Sequence, residues 1–269
     1  MHFSEALSRS NLAADPSATR PTRAARCDAH GAYESTNWLR NIWSGCPACD
    51  AEAKAKREAA EEIKRREARE RAWLQKVDDS GIPERFQSRT LKTFIAETSE
   101  QAYALDFASR YADSFDQALK TGRSAVFLGK PGTGKTHLAV GIGLRIMHRD
   151  HRTVLFTTTM RAIRRVKDTW TRGSDESETQ AIAALVFPDL LILDEVGVQF
   201  GSDTEKLILF DVLNERYEKR KPTLLLSNLD LDGVRAYLGE RVFDRLREDA
   251  GEMVAFGWDS WRGRKEVSA

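Results

Sequence analysis

The sequence has few cysteines, no long apolar run and almost no net charge, and each absence excludes a class of protein. Three cysteines, all before residue 50, are too few for a disulfide framework and suit a metal site better. No apolar run approaches the roughly 20 residues that cross a bilayer. The first residues also lack the basic and apolar regions of a secretory signal. We therefore expect a cytoplasmic protein without a membrane partner.

The balance of charge excludes a general polycation. The net charge is only +1 over 269 residues, so any contact with nucleic acid must come from a local patch. Charged residues make up 31% of the chain and hydrophobic residues 41%, which is typical of a globular protein with one unusually charged part.

Composition divides the chain into four parts. Residues 1–26 mix Ser, Ala, Pro and Arg without periodicity and are predicted to be a disordered lead. Residues 27–50 hold every cysteine and are predicted to be a zinc-binding module. Residues 51–80 are rich in Ala, Glu, Lys and Arg, which favours a charged helix that acts either as a spacer or as a partner-binding element. A Gly and a Pro then mark the boundary of a domain over residues 81–269.

The last part alternates strand-like and helix-like runs, which is typical of a doubly wound α/β domain with a parallel sheet. We predict strands at 125–128, 153–158, 189–193 and 223–227. We predict helices at 106–120, 160–171 and 202–220, a further helix that follows the glycine-rich segment at 129–136 and runs to about residue 149, and a polar loop at 173–178. In the last helix, the side chains predicted to face inward are those of Leu207, Leu209, Phe210 and Leu213.

A phosphate-binding loop follows the first of these strands. The pattern G-x-x-x-x-G-K-[ST] is matched by Gly129-Lys130-Pro131-Gly132-Thr133-Gly134-Lys135-Thr136. Its glycines let backbone N–H groups point at phosphate oxygens, and the helix that follows adds its positive end. Lys135 is expected to reach the β- and γ-phosphates of ATP, and Thr136 to offer its hydroxyl to Mg²⁺. His137 is either a further nucleotide-binding residue or a residue of the helix surface.

Two acids end the apolar strand at 189–193. Asp194 is expected to hold Mg²⁺ and Glu195 to orient the attacking water, because two adjacent acids in this position would be costly without such a role. Asn228 ends the next strand, where it either contacts the γ-phosphate or the water, or is an ordinary turn residue.

The cysteines form two pairs of potential metal ligands. Cys27 and His30 are separated by two residues, as are Cys46 and Cys49. Four such ligands complete a closed tetrahedral zinc site of the structural kind, and zinc should drive the folding of so short a segment. The alternative is three free thiols beside an incidental histidine.

One predicted helix carries a basic cluster near Trp170. Its cations are Arg161, Arg164, Arg165 and Lys167. A basic face beside an aromatic ring suits the backbone of single-stranded DNA, although a solvated helix face gives the same pattern.

The order of these motifs resembles that of the DnaC-type replicative helicase loaders of the AAA+ superfamily, which are related to the IstB-type transposition ATPases. The resemblance runs from about Gly81 to Arg264 and includes the segments Leu238–Leu246 and Trp258–Arg262. It also includes the segment that ends at Phe86, which in this family lies near the adenine.

The resemblance implies roles for three late arginines. Arg245 matches the arginine finger and Arg241 its neighbour, both directed at ATP in an adjacent subunit. Arg262 matches a second sensor, which contacts the γ-phosphate within its own subunit. The residues alone allow another interpretation, an amphipathic helix with a charged face.

The predicted function is ATP-dependent loading of a replicative ring helicase. The resemblance implies that the N-terminal region binds the helicase and that the AAA+ domain binds ATP, Mg²⁺ and single-stranded DNA. It further implies self-association into a ring or spiral, with release on ATP hydrolysis. Two alternatives stay open, namely a transposition accessory ATPase and an adaptor that binds ATP without hydrolysing it.

Overall fold

The computed structural model describes residues 20–39, 42–197, 202–248 and 251–262. The chain divides into two compact units, residues 1–70 and 71–269. Within the described ranges no helix is both long enough and apolar enough to span a bilayer.

The N-terminal unit contains a small antiparallel sheet. Its strands are β1 (Thr22–Cys27), β2 (Gly31–Leu39) and β3 (Ile42–Trp43). Gly31, with a φ of 79°, closes the hairpin opposite Cys27. A strand therefore lies where the sequence predicted the end of a disordered lead, whose residues 1–19 are outside the described part. The polar, exposed residues of β1 give no hydrophobic alternation from which a strand could be recognised.

A single helix, α1, runs from Pro47 to Asp79. Proline suits its first position because the first N–H groups of a helix have no intrahelical partner. The charged helix predicted for residues 51–80 is thus confirmed but begins earlier, inside the second ligand pair. Nearly every side chain before Trp73 is exposed, whereas Trp73 and Val77 pack into the core of the second unit.

The second unit is built on a parallel sheet. Its strands, among the described residues, are β4 (Ala125–Gly129), β5 (Val154–Thr158), β6 (Leu190–Val196), β7 (Thr223–Ser227) and β8 (Glu252–Phe256), in the order β5-β6-β7-β4-β8. The inner strands are almost wholly apolar because both faces of the sheet are covered. The predicted fold class and four predicted strands are confirmed. The fifth strand, β8, is a finding of the structure.

Helices pack on both faces of this sheet. They are α2 (Glu84–Gln87), α3 (Ser99–Asp113), α4 (Phe115–Thr121), α5 (Lys135–Arg149), α6 (Thr159–Asp168), α7 (Glu178–Val186), α8 (Asp203–Glu218), α9 (Leu231–Leu238) and α10 (Glu240–Arg247), with a 3₁₀ turn at Leu91–Thr93. The helix predicted at 106–120 is two helices that meet at Ser114. The predicted polar loop is followed at once by α7, whose capping box at Ser177 the sequence analysis missed.

One inward residue of α8 was predicted wrongly. Leu207 is 66% exposed, whereas its neighbours Ile208 and Leu209 are buried with Val212 and Leu213. The stripe at 208, 209, 212 and 213 keeps helical spacing, and Leu207 lies outside it.

Arg216 of α8 is fully buried and connects three elements. Its guanidinium donates to the carbonyl oxygens of Leu185, Val186, Pro188 and Pro222 and to the hydroxyl of Thr223. Two of these carbonyls end α7, so a positive charge caps the negative end of that helix. Burial lowers the pKa of Arg216 to about 9, which still leaves it protonated at neutral pH.

We expect Arg216→Met to lower the free energy of unfolding by roughly 3 kcal/mol or more, because several buried carbonyls lose their donor together. Urea unfolding measures the change. The matched control is Lys219→Met, since Lys219 pairs with Glu215 at an exposed position and should cost less than about 1 kcal/mol. Equal effects of the two substitutions would contradict this role of Arg216.

Candidate functional site

The phosphate-binding loop lies between β4 and the first turn of α5, at the carboxyl edge of the sheet. Gly132 and Gly134 have φ values of 80° and 98°, which favour glycine strongly. A Cβ atom on Gly132 would lie 2.0 Å from the Ser260 hydroxyl oxygen, and one on Gly134 would lie 2.7 Å from the Phe94 ring. These glycines are therefore required by both backbone conformation and close packing.

Lys135 is buried beneath this loop. Its ammonium group donates to the carbonyl oxygens of Gly129 and Lys130 at 2.6 and 2.8 Å, and to Oδ1 of Asn228 at 2.9 Å. Burial lowers the pKa of Lys135 to about 8, and the charge of Arg262 adds to that shift while Asp194 opposes it. Lys135 is thus a cation at neutral pH, held by neutral oxygens, and Asn228 lies beside it as a sensor residue would.

Thr136 and Asp194 form the candidate magnesium site. The Thr136 hydroxyl donates to a carboxylate oxygen of Asp194 at 2.9 Å. Burial raises the pKa of Asp194, while this bond and the backbone N–H of Glu195 lower it. A hydroxyl and a carboxylate side by side supply the oxygen ligands that Mg²⁺ prefers, with room for water and phosphate as the remaining ligands.

A β-bulge separates Asp194 and Glu195 from the regular part of β6. Leu193 pairs with Leu225 and Val196 with Ser227, so β6 has one residue more than β7 in this interval. Glu195 adopts a φ of 61°, which is uncommon for a residue other than glycine. In a regular strand adjacent side chains leave on opposite faces. The bulge removes this constraint, so both acids can serve the same edge of the sheet.

Two segments distant in sequence cover the loop. The indole of Trp258 donates to the Thr133 carbonyl at 2.9 Å, and the backbone N–H of Trp261 donates to the Gly132 carbonyl at 3.0 Å. Phe94 covers Gly134 from the other side. Trp258 belongs to a segment that carried the family resemblance, but nothing in the pattern around Phe94 indicated a contact with this loop.

Phe86 and His137 were both predicted to contact the nucleotide. The Phe86 ring packs against the core, and its short helix α2 lies against α5. Nε2 of His137 lies 2.9 Å from the Thr90 carbonyl and 3.1 Å from the Thr93 hydroxyl. His137 is thus half-buried against the segment at 90–94, and burial lowers its pKa. The contacts of His137 favour a role in packing over direct contact with phosphate.

The late arginines lie in two different places. Arg262 is beside the loop, with its Cγ 3.2 Å from a Cβ built on Gly132. Arg245 instead lines a small cavity with Ser124 and Thr223, at the amino ends of β4 and β7. Arg241 lines an open depression with Arg245 on the same helix. Arg245 therefore lies at the amino edge of the sheet, whereas its own loop lies at the carboxyl edge. The two edges are about 17 Å apart, the length of a strand of five residues.

The basic helix is α6, and half of its cations are already paired. Arg165 pairs with Glu176 at 2.7 Å and Lys167 with Glu205 at 2.8 Å. Arg161 and Arg164 are exposed, and no ion pair is recorded for them in the described ranges. The two unpaired cations are the more available of the predicted DNA-binding set, which stays a prediction.

The four predicted zinc ligands come together in the N-terminal unit. The ligand atoms of Cys27, His30, Cys46 and Cys49 all lie within 4.8 Å of one another. Tetrahedral zinc–sulfur bonds place two sulfurs about 3.8 Å apart, and the Cys27 and Cys49 sulfurs are 3.4 Å apart. One pair closes the β1–β2 hairpin and the other begins α1, so metal would fasten the sheet to the helix.

A carboxylate orients the histidine of this cluster. Nδ1 of His30 lies 3.3 Å from the Cys49 sulfur, while its Nε2 lies 2.9 Å from a carboxylate oxygen of Glu52. This carboxylate–histidine contact fixes the tautomer that presents Nδ1 to a metal. A hydrogen bond with His30 lowers the pKa of Cys27 to about 6, and the contact with Cys27 raises the pKa of Cys49 to about 12, so this pair of sulfurs favours one thiolate, the form that binds metal. The donor set therefore fits zinc.

The parallel sheet, its loop and the acids at its carboxyl edge define an AAA+ P-loop nucleotide-binding domain. A family model described as IstB-like ATP binding protein matches residues 113–269. The replicative helicase loader DnaC of Escherichia coli strain K12 is 37% identical over 199 residues, which cover 74% of this chain and 79% of that protein. The DnaC of Buchnera aphidicola subsp. Acyrthosiphon pisum is 36% identical over 184 residues, covering 68% and 73%.

A solved structure of such a loader is also similar to this chain. The crystal structure of the DnaC helicase loader superposes with a TM-score of 0.58 at 25% identity, covering 64% of this chain and 99% of that one. The chain belongs to the family of IstB-like ATP-binding proteins that includes the DnaC-type helicase loaders.

We expect Glu52→Ala to weaken zinc binding by about tenfold or more, because loss of this carboxylate frees the orientation of His30. Competition of the full-length protein against a chromogenic chelator measures the affinity. Glu58→Ala is the matched control, since Glu58 is an exposed acid on the same helix that pairs with Lys54. Equal affinities of the two variants would contradict a role for Glu52 in the site.

Proposed function

We propose that this protein is an ATP-dependent loader of a replicative ring helicase. The proposal is supported best by the arrangement at the phosphate-binding loop, where Lys135 contacts Asn228 and Thr136 contacts Asp194, a set that would be complete within one subunit except for an arginine finger. The only match for that finger in the described chain, Arg245, lies at the opposite edge of the sheet. The similarity to DnaC over 74% of the chain supports the same function.

Within one subunit, each residue of the loop has a distinct task. The N–H groups of the loop and the amino end of α5 bind the phosphates, and Lys135 turns from its carbonyl partners to the β- and γ-phosphates. Thr136 and Asp194 would hold Mg²⁺, which neutralises charge on the phosphates. Glu195 accepts a hydrogen bond from the attacking water, and Asn228 and Arg262 contact the γ-phosphate.

A neighbouring subunit supplies the remaining charge. Arg245 is separated from its own loop by the length of the strands, about 17 Å, so it serves ATP bound in another copy. Head-to-tail contacts of this kind generate rings or spirals. Hydrolysis therefore depends on assembly, and loss of the γ-phosphate loosens the assembly and releases the helicase.

The other two parts of the chain provide the contacts with partners. We assign helicase binding to the zinc-bound sheet and α1. Both lie outside the residues matched by the ATP-binding family model. Single-stranded DNA follows the exposed cations Arg161 and Arg164 of α6. An intact Glu195 beside Asp194 favours hydrolysis over an adaptor that only binds ATP.

We expect Lys135→Ala to abolish ATP binding, and Arg245→Ala to leave binding unchanged while lowering turnover on single-stranded DNA by about a thousandfold or more. Nucleotide titration and phosphate release measure the two effects. The matched control is Arg110→Ala, which removes an exposed arginine of α3 that pairs with Asp106, and turnover should persist. An Arg245→Ala protein that hydrolyses ATP at the wild-type rate would contradict the shared site.

We expect the full-length protein with ATP to place a replicative helicase on a circular single strand coated with single-strand-binding protein. Strand displacement from an annealed oligonucleotide reports loading, and Lys135→Ala is the inactive control. The absence of both loading and helicase binding would refute the proposed function. Selective retention of a transposase on duplex DNA would then identify the transposition alternative.

A further inference from the structure

We infer that Tyr217 is the positioning residue of the arginine finger, holding the Arg245 guanidinium by its ring face. The inference rests on the proposed function and adds a residue to it. Tyr217 lies near the end of α8, on a different element from Arg245 of α10, so the contact joins two helices. Neither the motifs nor the family resemblance assigned a role to this tyrosine.

The geometry is that of a cation–π contact. Cζ of Arg245 lies 4.7 Å from the centroid of the Tyr217 ring, within the roughly 6 Å at which such contacts are favourable. Nη1 of Arg245 is buried and has no hydrogen-bond partner among the residues that the structure describes. The ring face holds the plane of this guanidinium without using its N–H donors.

A second contact fixes the ring itself. The Tyr217 hydroxyl donates to a carboxylate oxygen of Glu248 at 2.5 Å. Glu248 is three residues after Arg245, a spacing at which an acid and an arginine commonly pair. The Glu248 carboxylate instead accepts the hydrogen bond from the Tyr217 hydroxyl. Among the described residues it forms no ion pair with Arg245.

This arrangement keeps the charge of Arg245 available. An ion pair would already neutralise the guanidinium, and its separation would oppose contact with a phosphate. A ring face stabilises the cation more weakly and does not neutralise it. The open depression beside it, about 510 Å³, is lined by Tyr217, Arg241, Asp244, Arg245, Arg247 and Glu248. Its volume admits the phosphate end of a neighbour's nucleotide.

Mixed assemblies test the inference. Glu195→Gln subunits still bind ATP and supply a finger but cannot hydrolyse, whereas Arg245→Ala subunits can hydrolyse but supply no finger. Each is inactive alone, and an equal mixture should recover about one quarter of wild-type turnover, because one interface in four joins an intact finger to an intact site. Tyr217→Leu is then placed in one kind of subunit at a time.

We expect Tyr217→Leu in the Glu195→Gln subunit to lower the recovered kcat by about tenfold with KM for ATP unchanged. The same substitution in the Arg245→Ala subunit should leave the recovered rate unchanged. Tyr217→Phe in the Glu195→Gln subunit keeps the ring but loses the bond to Glu248, so its effect should be only about two- to threefold. This graded loss on one side of the interface would support the inference.

Three results would overturn it. Equal losses from Tyr217→Leu in either subunit would mean that the tyrosine only supports the fold, and thermal melting of each variant would register that loss. Full recovery with Tyr217→Leu in both subunits would refute the inference while leaving the shared site intact. No recovery in the mixture without any Tyr217 substitution would refute the shared site of the proposed function, and the role of Tyr217 with it.

Discussion

The common direction of the strands in the main sheet determines where chemistry can occur. In the described part of the sheet, every pair of neighbouring strands among β4, β5, β6, β7 and β8 is parallel. The carboxyl ends of these strands therefore share one edge. The phosphate loop, Asp194 and Asn228 follow three adjacent strands and meet there, with Lys135 bonded to Asn228 and Thr136 to Asp194. The same geometry places α10 beside the amino ends, so a residue of that helix cannot serve its own loop.

Much of this could be predicted from the sequence because the signals are local. A run such as Leu190–Leu193 is a buried strand wherever it occurs, and a loop of three glycines before Lys135 has few other uses. The clustering of the four candidate metal ligands was equally predictable, since the two-residue spacing within each pair is set by a single turn of backbone.

The features that could not be predicted depend on contacts between distant segments. The strand β1 has exposed, polar residues and exists through its pairing with β2. The strand β8 is short and begins with an acid, and it is defined by its pairing with β4. Phe94 and Trp258 are ordinary aromatic residues in the sequence, and only the fold brings them to the loop. The ion pairs of Arg165 with Glu176 and of Lys167 with Glu205 likewise occupy half of a basic cluster that looked uniform in the sequence.

Three cations of the domain are stabilised by neutral groups, which the composition of the chain does not show. Lys135 and Arg216 are buried and Arg245 is half-buried, and burial of a charge usually demands an acid as partner. Here Lys135 and Arg216 are bonded to carbonyl and other neutral oxygens, and Arg245 lies on an aromatic ring. Neutral partners stabilise a cation without neutralising its charge. For Arg216 the result is a cap on a helix. For Lys135 and Arg245, the proposed function requires a charge that stays available to phosphate, one within the subunit and one across an interface.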